Sequence, residues 1–96
     1  MGKRIRLPSR RSTEIFSFNH DRRRWTATIS RFPDGAAAEI FLDTKPSPLA
    51  DMAQDAAILA SIALQHGAPL DVVRHAIAGR EGPLAAALAL VNGGGE

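Results

Sequence analysis

Histidines, a pair of carboxylates, scattered serines and a run of arginines are the side chains in this 96-residue chain that could do chemistry. His20, His66 and His75 show no HxH or HxxxH spacing, so a metal site would have to be assembled from distant segments, and none is expected. Asp51 and Asp55 stand four residues apart, one above the other on a helix, but no third polar partner lies near them in sequence. A solvated helix face is the simpler account of that pair. Ser12, Ser17, Ser30, Ser47 and Ser61 lack the strand-to-helix elbow that activates a serine nucleophile. Gly93 to Gly95 follow no strand and open no helix, so they cannot cradle a phosphate. The chain contains no cysteine, which excludes disulfides, thiolate metal sites and thiyl or thiolate catalysis. No catalytic residue, metal or cofactor is expected.

The basic cluster is the most suggestive group. Lys3, Arg4, Arg6, Arg10 and Arg11 precede the first element, and Arg22, Arg23 and Arg24 run directly into Trp25. Arginines next to an aromatic ring suit phosphate contact with base stacking, which makes nucleic acid or another polyanion a candidate partner. Trp25, however, also fits the buried face of a strand, and a three-arginine turn equally suits a solvated sheet edge. The net charge of +2 conceals an asymmetry: residues 1–31 sum to +7 and residues 32–96 to −5. Such opposed halves point to an anionic partner or to association between unlike faces.

The elements that must position these groups can be read in order. Residues 1–12 are polar, basic and interrupted by Pro8, hence an arm. Residues 13–92 are expected to form one domain, and 93–96 a flexible tail. Thr13 to Asn19 alternates with Phe16 and Phe18 on one face, and Asn19 to Arg22 supplies a hairpin turn. Arg24 to Phe32 alternates with Trp25, Ala27 and Ile29 inward and Thr26, Thr28 and Ser30 outward. Phe32-Pro33-Asp34-Gly35 is a tight turn with a positive φ at Gly35. Ala37 to Asp43 then places Ala38, Ile40 and Leu42 on the core side, leaving Phe41 oddly among polar neighbours.

Ser47 as N-cap, Pro48 at the first helical position and Gly67 as a left-handed cap delimit a long helix. Its middle, Ala56 to Leu64, is apolar nearly all round and should be covered on more than one side. Met52, Ala56, Leu59, Ile62 and Ala63 are the residues expected to form the core and dimer surface of this helix, Met52 and Ala56 pointing inward. Two shorter helices follow, from Pro69 to about Ala78 and from Leu84 to Val91. The fold class is thus α+β, a three-stranded antiparallel meander with three helices on one face, in the order βββααα. One small sheet cannot cover the long helix, so a homodimer is expected, with cover by the later helices alone as the alternative. No stretch is long and apolar enough for a bilayer, and the basic start has no leader-like apolar region behind it, so a cytoplasmic location is expected.

The order of pieces resembles the TSCPD domain, which ends vitamin B12-dependent ribonucleotide reductases and also occurs as small free-standing bacterial proteins. The resemblance spans roughly residues 7–92 and is carried by LPSRR, FPDGAAAEIFLDT, SIALQHG, APLDVVRHAI and GPLAAAL. The family's Thr-Ser-Cys-Pro-Asp stretch matches Arg80-Glu81-Gly82-Pro83-Leu84, where only Pro83 is retained and Gly82 replaces the cysteine. The reductase barrel and its radical-bearing cysteines are absent. The resemblance therefore implies a non-catalytic accessory or regulatory domain, with a ribonucleotide reductase or another protein as candidate partner.

Overall fold

A computed structural model of the chain describes residues 12–91. The strands are β1 (Ser12–His20), β2 (Arg23–Arg31) and β3 (Ala37–Asp43); the helices are α1 (Pro48–Gln65), α2 (Leu70–Ala76) and α3 (Pro83–Leu90). The sheet is antiparallel in the order β1-β2-β3, so the βββααα reading of the fold holds. The arm expected over residues 1–12 lies outside the described residues except for Ser12, which already belongs to β1. The tail expected over 93–96 also lies outside them.

Turn chemistry sets the register. Asp21 (φ 52°) and Arg22 (φ 61°) both take left-handed backbone, which makes the β1–β2 link a two-residue turn whose twist matches the strands. At the second turn Gly35 has φ 91°, Asp34 Oδ1 accepts from the Ala36 N–H, and the β2–β3 register shifts by one residue at Ser30/Arg31. That bulge lets both Ala37 and Ala38 be buried despite their adjacency.

The core forms on the face bearing Phe18, Trp25, Ala27, Ile29, Ile40 and Leu42. Trp25 is fully buried, stacked on Phe18 at 6.4 Å between ring centroids, and its Nε1–H points to the His20 carbonyl at 3.3 Å. Ser47 caps α1 by accepting from the Ala50 N–H, as expected from Ser-Pro. Its far end closes in a Schellman arrangement: Gly67 (φ 103°) donates to Leu64 O and Ala68 to Ala63 O.

The expectation that α1 is hidden on nearly every side is not met. Its sheet-facing side is Ala50, Ala53, Ala57, Ala60, Ser61 and Leu64, and the side turned away is wet. Met52 points outward, not inward, and Leu59 is equally exposed at 68%. Ile62 is exposed too, while Ala56 and Ala63 are half-buried at the border. The reason is steric: small residues repeat at the spacing that lets α1 approach β3, so the bulky residues fall on the far side. α2 and α3 are shorter than α1 and cover only its flank.

Candidate interaction surface

Where α1 meets β3, the helix takes over the role of a missing strand. Ser61 Oγ accepts from the Ile40 N–H at 2.9 Å and lies 3.0 Å from the Ile40 carbonyl and 2.8 Å from the Ala57 carbonyl. One turn on, Gln65 Nε2 donates to Ala38 O at 3.0 Å. These buried side chains occupy the outward backbone groups at the middle of β3, namely Ile40 N–H, Ile40 O and Ala38 O, and block a further strand from pairing there. Ser61 is therefore a structural cap of the sheet edge.

The apolar surface left over is the candidate site. Met52, Leu59 and Ile62, bordered by Ala56 and Ala63, form a strip along α1, with Ile58 exposed beside it. Its N-terminal half runs into a groove of about 850 Å³ between α1 and the α2–α3 connection. Leu49, Met52, Ala56, Ile77 and Leu84 supply its apolar walls, and Arg80 and Glu81 its charged ones. Arg74 braces the helices behind it, donating to Leu88 O at 3.0 Å, to Val91 O, and to Asp71 Oδ1 at 2.9 Å. Asp51 and Asp55 are both exposed next to the strip.

The basic candidates divide differently. Arg4, Arg6, Arg10 and Arg11 lie outside the described residues. Arg22 and Arg24 are exposed at the hairpin, whereas Arg23 is half-buried and reaches the Lys45 carbonyl at 3.4 Å. The Lys45 backbone, in the β3–α1 connection, thus lies beside the hairpin, a proximity that sequence spacing did not reveal. Because Arg23 and Arg24 are consecutive in β2, they point to opposite faces of the sheet and do not form one patch. Ser12, where the described residues begin, is at the opposite end of β1 from the hairpin, about 27 Å away for a nine-residue strand. Trp25 is sealed in the core and cannot stack on a base.

No group of three or more His, Asp or Glu residues suited to a metal ion occurs among the described residues. Nor is any described helix long and apolar enough to cross a membrane. The fold and surface define a small α+β domain that presents an apolar helix face. Family models, curated proteins and solved structures all return no match to this chain.

Proposed function

We propose that this chain is a non-catalytic interaction domain that pairs with a second copy of itself through α1. The observation that carries the reading is the exposed strip Met52–Leu59–Ile62 along α1. Such strips are characteristic of contact surfaces, and two-fold pairing is the commonest way to cover one. Leu59 lies near the helix midpoint with Ala56 and Ala63 on either side, so an antiparallel copy could cross there with its own Leu59 between small residues. By its resemblance to the TSCPD domain, we place it as a cytoplasmic accessory or regulatory module for a ribonucleotide reductase. In support, the Arg80–Leu84 segment, which stands where the family motif would and keeps only its proline, lines the groove. Light scattering on eluting protein tests the pairing: a species twice the 10.3 kDa chain is expected, reverting to the monomer in Leu59→Asn. A monomer at high micromolar concentration removes the reading.

A second reading, polyanion binding through the basic residues before Ser12 and the Arg22–Arg24 turn, is supported by the exposure of Arg22 and Arg24 at the hairpin end of the sheet. Phosphate contacts would make affinity for random DNA fall steeply with salt. Binding that ignores ionic strength eliminates it.

A further inference from the structure

The two edges of the sheet are unlike. β3 is guarded at its middle by Ser61 and Gln65 of α1. Among the described residues no strand pairs with the outer side of β1, the other edge. His20 and Arg23 flank a two-residue turn, so they exchange both ladder bonds. By alternation Phe18–Trp25, Phe16–Ala27 and Glu14–Ile29 do the same. Ile40 agrees: it turns both its backbone groups to Ser61, so Ile29 across from it turns its own to Glu14. The N–H and C=O groups of Thr13, Ile15, Ser17 and Asn19 therefore point out of the sheet. All four residues are exposed, and no loop or side-chain hydrogen bond among the described residues reaches their backbone. Native edges are ordinarily blunted by shortness, a proline, a lysine or a bulge. β1 is nine residues long with an unbroken register, and it holds no proline, lysine or arginine. Its one acid, Glu14, is tied to Arg31 at 2.7 Å.

Two further features say what an added strand should carry. On the face turned away from the helices, Ile15, Thr28 and Phe41 form one row across the three strands, with Ile15 69% and Phe41 48% exposed. At the hairpin end, the exposed Arg22 and Arg24 belong to neither described ion pair, and three arginines stand there against Asp21 alone. Arg24 is paired with Asn19 and shares its face, so it lies two strand spacings, about 9.6 Å, from a residue added opposite Asn19. An arginine and a glutamate side chain close that gap between them. The acids of the same face, Glu39 and Asp43, stand on β3 at the far edge. We propose that β1 is a docking edge for an extended acidic segment of another protein, which adds as a fourth, antiparallel strand. A carboxylate of that segment lies opposite Asn19, facing Arg22 and Arg24, and a branched apolar residue four positions later lies opposite Ile15 and prolongs the apolar row. Main-chain bonds supply the affinity and these two side chains the selectivity. The edge shares no residue with the α1 strip, so this goes beyond pairing through α1 and does not depend on it.

The probe is the blocked peptide acetyl-Glu-Thr-Thr-Val-Val-Thr-Thr-amide, followed by amide NMR of the whole chain. Before peptide is added, the amides of Thr13, Ile15, Ser17 and Asn19 should exchange with solvent far faster than those of Glu14, Phe16 and Phe18. Millimolar peptide should shift these four signals and slow their exchange, leaving those of α1 in place. N-methylation of the third and fifth peptide residues, whose N–H groups face β1, should abolish the effect; at the fourth and sixth, which face away, it should not. Arg22→Glu with Arg24→Glu should weaken binding at least about fivefold, and favour a peptide with lysine in place of glutamate. No shift at millimolar peptide, equal loss from both methylation patterns, indifference to the charge reversal, or shifts centred on α1 overturns the proposal. So does slow exchange of the four edge amides before peptide is added, which would mean that a second copy or another segment of this chain already holds the edge. The same titration in Leu59→Asn should give the same result, which keeps the fate of this edge distinct from that of pairing through α1.

Discussion

Replacing Ser61 with alanine removes a single oxygen, and the structure permits its cost to be worked out. That oxygen accepts the Ile40 N–H and lies within donating distance of the Ile40 carbonyl, both on the outward side of an edge strand. Ala57 O keeps its place in the helix ladder, so only the two Ile40 groups are orphaned. Each buried, unsatisfied backbone group costs about 1–3 kcal/mol, which puts Ser61→Ala at about 2–6 kcal/mol. Against a total stability of about 5–15 kcal/mol for a domain, that is a large fraction. The urea midpoint should fall with the slope unchanged, since the same surface is exposed on unfolding. Native-state hydrogen exchange adds a local readout: the Ile40 amide should exchange faster in the variant by more than the global loss explains. A change below about 0.5 kcal/mol, the range of ordinary surface substitutions, would refute the idea that α1 completes the sheet edge.

Other expectations follow from the same contacts. Arg22→Gly should stabilise the chain by about 0.5–1 kcal/mol in thermal or urea melts, because glycine takes the positive φ of 61° without the penalty that a side chain incurs. Leu59→Asn should leave the unfolding of the single chain nearly unchanged and weaken pairing. Two copies of a side chain 68% exposed in the lone molecule correspond to about 2–4 kcal/mol of lost burial, or about 30- to 1000-fold in Kd by sedimentation. Arg74→Ala should cost about 1–3 kcal/mol and speed amide exchange at the end of α3, because the Leu88 carbonyl keeps only its bond from the Val91 N–H and the Val91 carbonyl loses the guanidinium. Trp25 is the sole tryptophan and is fully sealed, so acrylamide should quench its emission weakly until the chain unfolds.

Local signals were legible where they are self-contained. Alternation around Phe18, Trp25 and Ile40 marked the inward faces, Ser47-Pro48 marked the start of α1, and Asp34-Gly35 marked the second turn. The second helix proved shorter than its apolar spacing indicated, ending at Ala76 where Gly79 (φ 81°) turns the chain. What the sequence concealed was which side of α1 faces the sheet. Hydrophobicity ranks Met52, Leu59 and Ile62 above Ala53, Ala57 and Ala60, so reading by apolarity turns the helix the wrong way. Size decides instead, because Ser61 has a short side chain and can reach Ile40 only if the residues beside it let the backbones come close. The buried Ser30 and the orphaned Glu39 oxygen were also hidden, since strand alternation assigns both to the solvated face.

The same steric choice bears on why the strip exists at all. A helix that packs through alanine gains little from burial within its own chain, because each methyl removes far less apolar surface from water than a leucine would. Beside the sheet side chains it covers, Ser61 and Gln65 fix it by bonding to the backbone of β3. The larger side chains of α1 are then free of any task in the single molecule, yet they are leucine, isoleucine and methionine. Polar residues there would be better helix formers in water and safer against aggregation. A strip whose Met52 and Leu59 stay largely outside the lone fold and carry an aggregation risk is best explained by something that covers it. A second α1, offering the same bulky centre between small neighbours, has the shape to do so.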